Sequence, residues 1–186
     1  MLEIRWHSRA GQVAVTGAKG LADVVAGTGK KVQACACYGT AKRGAAMTAY
    51  NRIDEQPILN HEKFMIPDYV LVIDPGLVYI TAICANEKSN KNYFITTHLS
   101  KDEFLKTKPE LQNKEVYNLD CNGHSLEAFG KSIPNAPMLR AFLKISQILD
   151  LDFFLESFKK VLGKKLPQKI IDANMEVIKK AYNEVK

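Results

Sequence analysis

Two polar loops of the sequence contain residue types that bind carboxylates or phosphates. The first, residues 9 to 13, reads R-A-G-Q-V, and the second, residues 38 to 47, holds a Lys42-Arg43 pair between two glycines. Glycine permits tight backbone geometry, and neighbouring cations suit an anion. Loops that leave the carboxyl ends of strands form the ligand-binding edge of an open α/β sheet. We therefore expect Arg9, Lys42 and Arg43 to converge there, with two unrelated surface loops as the alternative.

The first loop does not match the glycine patterns of the common nucleotide-binding motifs. The dinucleotide fingerprint G-x-G-x-x-G would begin at Gly11, but Val13 and Thr16 occupy its second and third glycine positions. The second glycine lets the backbone approach a pyrophosphate, which a branched side chain obstructs. Gly29-Lys30 is followed by a lysine and therefore fails as a P-loop. We predict that residues 9 to 13 are not a self-sufficient nucleotide cradle.

The cysteines and histidines do not have the spacing of a metal site. Cys35 and Cys37 are two residues apart on a predicted strand, and the sequence contains no C-x-x-C. We interpret them as small buried apolar side chains and not as iron–sulfur ligands. His7, at the end of the first strand, is the most site-like histidine. We assign no catalytic residue and no metal ligand in this chain.

Hydrophobic periodicity predicts strands that alternate with helices, followed by a helical last third. The predicted strands are Leu2–Trp6, Val32–Cys37, Ala46–Ile53, Tyr69–Ile73, Tyr93–Thr97 and Glu115–Leu119. The predicted helices are residues 12–28, Asn135–Ile148, Leu151–Leu162 and Pro167–Val185. Gly17 and Gly20 inside the first helix are expected to allow close approach to the sheet. The pattern predicts an α/β three-layer sandwich: a mostly parallel sheet of about six strands, helices on both faces and extra C-terminal helices.

Composition and charge are those of an ordinary globular protein. The chain has 186 residues, 46% of them hydrophobic and 25% charged, and a net charge of +6. We expect one domain over residues 1–186, no membrane span and no signal peptide, and the four scattered cysteines favour a reducing cytoplasm. Lysines after residue 158 alternate with apolar residues, which is typical of a solvated helix face. No pattern indicates a nucleic-acid interface.

Four blocks of the sequence resemble the gamma subunit, or gamma domain, of the 2-oxoacid:ferredoxin (or flavodoxin) oxidoreductases. The blocks are I-R-W-H-S-R-A-G-Q-V-A-V-T-G-A-K (4–19), Y-G-T-A-K-R-G-A-A-M-T-A (38–49), P-D-Y-V-L-V-I-D-P (67–75) and N-A-P-M-L-R-A-F (135–142). They occur in the family's order and extend over most of the chain. The stretch K-R-G-A is most similar to the pyruvate enzymes.

The resemblance implies a reaction and a set of partners. Pyruvate and coenzyme A (CoA) would become acetyl-CoA and carbon dioxide, with two electrons passed singly to ferredoxin or flavodoxin. Thiamine diphosphate, magnesium and iron–sulfur clusters would lie on partner alpha, beta and delta subunits, because this chain lacks a G-D-G signature and cluster cysteines. The family's gamma domain helps to shape the CoA side of the site. That role is carried onto these residues: Arg9, Gly11, Gln12, Tyr38, Gly39, Arg43 and Gly44.

Three alternatives remain open from the sequence. The enzyme could act on another 2-oxoacid, such as 2-oxoglutarate or indolepyruvate, because substrate choice lies mainly on the other subunits. The chain could be a free-standing nucleotide-binding module, which the failed glycine patterns disfavour. It could also be a purely structural scaffold, in which case Arg9 and Arg43 would not face the active site.

Overall fold

The computed structural model describes residues 1–11, 14–38, 44–84, 92–130, 133–163 and 167–184. Within these ranges a six-stranded sheet has the order β2-β3-β1-β4-β5-β6. The strands are β1 (Leu2–Arg9), β2 (Lys31–Tyr38), β3 (Ala46–Asp54), β4 (Tyr69–Val72), β5 (Asn92–Thr96) and β6 (Glu115–Leu119). The helices are α1 (Ala14–Ala26), α2 (Leu77–Ile80), α3 (Lys101–Thr107), α4 (Cys121–Phe129), α5 (Asn135–Ser146), α6 (Leu151–Gly163) and α7 (Gln168–Glu184), with a 3-10 turn at Pro109–Leu111.

Strand directions confirm the mostly parallel sheet and place several strand ends together. β1, β4, β5 and β6 pair in parallel, whereas β3 is antiparallel to both β1 and β2. Because β3 is antiparallel to each of its neighbours, β1 and β2 run in the same direction. The carboxyl ends of β1, β2 and β4 therefore lie at one edge of the sheet.

One face of the sheet, which we call the front face, carries the largest core. It is defined by Ile4, Trp6, Leu71 and Phe94, which pack with residues of α1, α5 and α6. The Trp6 indole N–H donates to Asn51 Oδ1 over 2.8 Å, and Asn51 Nδ2 donates to the Ala18 carbonyl over 2.8 Å. These two hydrogen bonds join β1, β3 and α1 and satisfy polar groups that burial would otherwise leave unpaired.

Two glycines bring α1 close to different neighbours. A Cβ on Gly17 would lie 3.2 Å from Asn135 Cβ and 3.3 Å from Trp6 Cζ3. A Cβ on Gly20 would lie 2.9 Å from Phe158 Cε2. The predicted approach to the sheet is therefore confirmed at Gly17, since Trp6 belongs to β1. It is wrong at Gly20, because helix α6 lies against that position.

The opposite face, which we call the back face, is apolar over one half and polar over the other. Over β4 to β6, Val70, Val72 and Ile95 pack with α2, α3 and the 3-10 turn. Over β1 and β3, the back face carries the buried polar side chains of Arg5 and Arg52. Helices on both faces are thus confirmed, and the described back-face helices α2 and α3 pack with the apolar half.

The structure corrects several details of the sequence prediction. Helices α2, α3 and α4 were not predicted, although α3 and α4 begin at side-chain caps from Ser100 and Asp120. Cys35 and Cys37 are exposed, so the interpretation of buried apolar side chains is wrong; β2 is an edge strand. The polar stretch N-E-K-S-N-K-N at residues 86 to 92 also predicts an exposed turn, but only its last residue, which begins β5, belongs to the described part of the chain.

Candidate functional site

The first predicted loop lies beside the loop that precedes β3. Arg9 is the last residue of β1, and its Nη1 donates to the Gly44 carbonyl over 3.3 Å. The next residue continues this contact, because the Ala10 N–H donates to the Ala45 carbonyl over 2.9 Å. Gly11 and Gly44 have φ angles of +100° and +78°, a left-handed region that favours glycine. The two glycines allow both loops to turn at the strand ends.

A carboxylate after β4 fixes the orientation of Arg9. Arg9 Nε lies 3.1 Å from Asp74 Oδ2, and Asp74 Oδ1 accepts a 2.9 Å hydrogen bond from the Gly76 N–H. The Arg9 side chain is 35% exposed and that of Asp74 only 14%. Arg9 therefore ties together the segments that follow β1, precede β3 and follow β4. Its guanidinium positions this edge in addition to adding positive charge.

Sequence reasoning did not single out Asp74. A signal was present, because Asp74-Pro75 directly follows the apolar run Tyr69 to Ile73 and so had to lie at the carboxyl end of a buried strand.

We call the group Arg9, Gly11, Tyr38, Gly44 and Asp74 the strand-end edge. Tyr38 ends β2 and is 65% exposed. Of the other predicted residues, Gln12, Gly39, Lys42 and Arg43 lie outside the described part of the chain.

A cleft of about 310 Å³ opens on the polar half of the back face. We call it the back-face cleft, and Arg5, His7, Thr48, Tyr50 and Lys63 are among its lining residues. Cys37 and Ala46 also line it, so the cleft reaches the end of β2 and the start of β3, beside the strand-end edge. The alternation of a strand explains the polar lining, since residues 5 and 7 of β1 point to the face opposite residues 4 and 6.

His7 is the most perturbed titratable group in this cleft. Its side chain is 6% exposed. Burial, together with the charges of Arg5 and Lys63, lowers the pKa of His7 to about 3. His7 Nε2 has no hydrogen-bond partner among the described residues. A neutral imidazole in this position can offer one donor or acceptor to a ligand or to a neighbouring chain.

Two buried arginines hold the segment after β3 and the residues after α2 against the back face. Arg5 Nη1 and Nη2 donate to the carbonyls of Met65 and Ile83 over 3.2 and 2.9 Å, and burial lowers the pKa of Arg5. Arg52 lies 2.9 Å from Glu3 Oε1 and donates to the Asn60 carbonyl over 2.8 Å. These contacts satisfy buried donors with backbone carbonyls. Both arginines are therefore structural, and Arg5 also leaves a positive charge at the cleft.

The described ranges lack both the side-chain cluster of a metal site and the long apolar helix of a membrane span. There, no cluster of three or more His, Cys, Asp or Glu side chains could hold a metal ion. In the same part of the chain, no helix combines the length and apolar character needed to cross a bilayer. The geometry instead provides an edge of loops and a positive cleft beside it.

Known proteins resemble this chain over its whole length. The family model for pyruvate ferredoxin/flavodoxin oxidoreductase matches residues 3–184. Pyruvate synthase subunit PorC of Thermotoga maritima is 36% identical over 185 residues, which cover 99% of this chain and 94% of that protein. The pyruvate/ketoisovalerate oxidoreductases common subunit gamma of Thermococcus kodakarensis is 34% identical, covering 99% and 97%.

A solved structure supports the same grouping. The crystal structure of pyruvate oxidoreductase subunit PORC from Thermotoga maritima matches with a TM-score of 0.82 at 34% sequence identity, covering 100% of this chain and 97% of that one. The chain belongs to the pyruvate ferredoxin/flavodoxin oxidoreductase family. This membership agrees with the resemblance drawn from the four sequence blocks.

Proposed function

We propose that this chain is the gamma subunit of a multi-subunit pyruvate:ferredoxin or flavodoxin oxidoreductase. The single observation that carries this proposal is the end-to-end similarity to the Thermotoga maritima protein, at 36% identity over 99% of this chain and 94% of the relative. The complete enzyme converts pyruvate and CoA into acetyl-CoA and carbon dioxide and passes two electrons to its acceptor. The chain acts in the cytoplasm, as one domain over residues 1–186.

The redox chemistry of this enzyme belongs to partner chains resembling alpha, beta and delta subunits. Iron–sulfur clusters need several cysteine thiolates around one site. The four cysteines are Cys35 and Cys37, exposed on the edge strand β2, the half-buried Cys84 and the buried Cys121, and within the described ranges none of them belongs to a group of three or more metal-ligating side chains. These cysteines do not fit a cluster. We therefore assign the iron–sulfur clusters to the partners. We assign thiamine diphosphate and magnesium to them as well, because the sequence lacks the G-D-G signature, and we expect the isolated chain to be colourless and inactive.

The strand-end edge forms part of the CoA side of the assembled site. It carries two glycines and the Arg9 guanidinium, and the predicted residues Gln12, Gly39 and Arg43 belong in sequence to the same two loops. An exposed charge pair contributes about 1 kcal/mol or less, whereas micromolar affinity requires about 8 kcal/mol. The edge alone is thus too weak to bind CoA, and partner subunits supply the other wall. Arg9 acts by holding the loops in place, since Asp74 and Gly44 already engage its side chain.

Co-purification tests the subunit assignment. A tagged copy of this chain, isolated anaerobically from its own host, should bring partner chains and a brown chromophore with it. The complex should reduce an electron acceptor only when pyruvate and CoA are both present. Faster reduction of the acceptor with 2-oxoglutarate or indolepyruvate than with pyruvate would identify that 2-oxoacid as the substrate. A colourless chain that purifies alone and binds a nucleotide tightly would favour the free-standing module.

A second candidate is a gamma subunit shared between two oxidoreductases. The relative from Thermococcus kodakarensis is named as a common subunit for pyruvate and ketoisovalerate enzymes, and it is nearly as similar as the first relative. Two sets of partner chains in the same purification, with activity on both pyruvate and ketoisovalerate, would support sharing. A single set of partners would support one enzyme.

Kinetics of the complex test the CoA side. Arg43→Ala should raise the KM for CoA about five-fold and leave the KM for pyruvate within about two-fold, because an exposed charge pair contributes about 1 kcal/mol and each 1.4 kcal/mol, by rough conversion, changes an affinity about ten-fold. Lys159→Ala removes an exposed cation from α6 and serves as the matched control. An unchanged KM for CoA would make Arg43 an interface or surface residue.

A further inference from the structure

A second concavity lies on the other side of the sheet from the back-face cleft. It has a volume of about 390 Å³ and is formed by residues of α1, α6 and α7 together with Ile133 and Asn135. We call it the helix cavity. Its apolar wall consists of Phe158, Val161, Leu162, Ile133 and Ile170. None of these residues takes part in the strand-end edge or lines the back-face cleft.

The size and lining of the helix cavity are those of a small-molecule site. An engineered apolar cavity of about 150 Å³ accommodates benzene, and natural ligand pockets begin at about 300 Å³. Such pockets are mostly apolar, with a small number of polar groups that orient the ligand. The helix cavity is large enough for one or two rings, and the close contact of Gly20 with Phe158 defines part of its wall.

One buried polar group in this wall lacks a partner. Asn135 is 7% exposed, and its Oδ1 has no hydrogen-bond partner in the described part of the chain. The second buried amide is already engaged, since Asn174 Nδ2 donates to the Ile170 carbonyl over 2.7 Å. A buried acceptor without a partner is unfavourable unless a ligand or water supplies a donor.

The rim of the helix cavity is accessible from solvent. Thr16, Lys19 and Asp23 lie along α1 at this rim and are all exposed. Ile170 on α7 is 38% exposed. A ligand can therefore enter between α1 and α7 without separation of the packed core that lies against the sheet.

We propose that the helix cavity binds a small, largely apolar molecule of one or two rings that carries a single N–H or O–H donor. The ring system packs on Phe158, Val161 and Leu162. Its donor bonds Asn135 Oδ1, which burial leaves otherwise unsatisfied. The ligand stabilises the packing of α6 and α7 against α1, next to the point where Gly17 contacts both Asn135 and Trp6. This proposal is independent of the function proposed above.

A matched pair of probes tests both halves of the proposal. p-Cresol and toluene have similar apolar bodies, but only p-cresol carries a donor. Calorimetric titration of the full chain should show that p-cresol binds about five-fold more tightly than toluene, the increment of one neutral hydrogen bond. Asn135→Leu should remove this preference while retaining toluene binding. Val161→Trp, which fills the cavity, should abolish binding of both probes.

Controls separate a specific site from nonspecific adsorption. Leu126→Trp adds an indole at a position that is 59% exposed on α4 and should leave both affinities unchanged. Circular dichroism and thermal melting establish that each variant is folded. Binding that survives Val161→Trp would overturn the proposal, as would no preference for p-cresol in the unmodified chain. Loss of probe binding on assembly with partner chains would also overturn it, because a partner's side chain would then occupy the cavity.

Discussion

The two halves of the back face are covered in different ways. Over β4 to β6, Val70, Val72 and Ile95 meet Phe104 and Leu111 in an apolar cluster closed by short helices. Over β1 and β3, buried arginines and His7 replace these apolar side chains. The segment after β3 lies against them, because its backbone carbonyls accept hydrogen bonds from the two arginines. One half is a conventional core, and the other half contains a cleft of about 310 Å³.

Strand direction explains the difference. Parallel neighbours require a crossover connection, which often places a helix on one face. The antiparallel strands β2 and β3 follow one another directly and need no crossover. No crossover helix is therefore required on the back face there. The polar half can remain open for a ligand or a neighbouring subunit, whereas the apolar half is closed within the chain itself.

Phe104→Ala should produce the largest loss of stability, because it empties the centre of the apolar half. Phe104 is 1% exposed, and truncation of a buried phenylalanine costs about 3–5 kcal/mol. Denaturant unfolding followed by circular dichroism measures the loss. Leu126→Ala, at a position 59% exposed, should change the free energy of unfolding by about 0.5 kcal/mol or less. A loss below about 1 kcal/mol at Phe104 would contradict the assignment of a closed core.

Arg52→Met should be the next most costly change and tests the polar half. It leaves the Glu3 carboxylate and the Asn60 carbonyl without their arginine partner, and we expect a loss of about 2–4 kcal/mol. The double variant Glu3→Leu with Arg52→Met also removes the carboxylate that the single variant leaves unpaired, and should recover part of the lost free energy of unfolding. Additive losses in denaturant unfolding would show that the pair is not coupled.

His7 should make stability depend on pH in a specific window. The pKa of His7 is about 3 in the folded chain, below its ordinary value of 6.5. The unfolded chain therefore binds one more proton between pH 6.5 and 3, and the free energy of unfolding falls as the pH falls through that window. From pH 7 to 5 this contribution is about 2 kcal/mol.

Replacement of the imidazole isolates this contribution. When the pH is lowered from 7 to 5, the free energy of unfolding of His7→Gln should fall by about 2 kcal/mol less than that of the unmodified chain. Urea unfolding at the two pH values measures both losses. Equal losses in the two proteins would mean that His7 is protonated at little cost and that the back-face cleft is more hydrated than its burial indicates.

Much of the fold could be predicted from the sequence, because its long elements carry clear patterns. The apolar run at residues 69 to 73 and the periodicity of α5, α6 and α7 fixed elements within a few residues of the observed ends. Helix α2 has only four residues, too few for a helical period to be recognised. Cys35 and Cys37 lie opposite Tyr50 and Thr48 of β3, on the polar half of the back face, and their exposure follows from how that face is covered, which is a property of the whole sheet and not of the strand.

The candidate site was predicted only in part. The carboxyl-end rule predicted that Arg9 converges with Lys42 and Arg43. The structure places Arg9 Nη1 3.3 Å from the carbonyl of Gly44, the residue after this pair, while the pair itself lies outside the described residues, so its convergence with Arg9 stays a prediction. The sequence prediction missed the back-face cleft. A signal was present, because Arg5 and His7 on β1, and Tyr50 and Arg52 on β3, are two residues apart and therefore form a polar face on each strand. Partners such as the Ile83 carbonyl, 78 residues from Arg5, follow from tertiary packing and have no local signal.

Two glycine substitutions test whether the apolar front face extends behind the polar half. Alanine is favoured over glycine in a helix by up to about 1 kcal/mol, so Gly17→Ala and Gly20→Ala should stabilise α1 unless packing forbids a Cβ. The Gly17 Cβ would lie 3.3 Å from Trp6 Cζ3, and the Gly20 Cβ 2.9 Å from Phe158 Cε2. Trp6 is fully buried and Phe158 nearly so.

We expect each variant to lose about 1 kcal/mol net in denaturant unfolding, because overpacking costs about 1–3 kcal/mol and outweighs the helix preference. Phe158→Leu removes the ring edge that meets residue 20, so Gly20→Ala should be less costly in that background. The same background should not reduce the stability loss of Gly17→Ala, because the close neighbours of residue 17 are Trp6 and Asn135. A gain in stability at Gly17 would mean that Trp6 has room to move, and that the front-face core behind the polar half is loosely packed at this point.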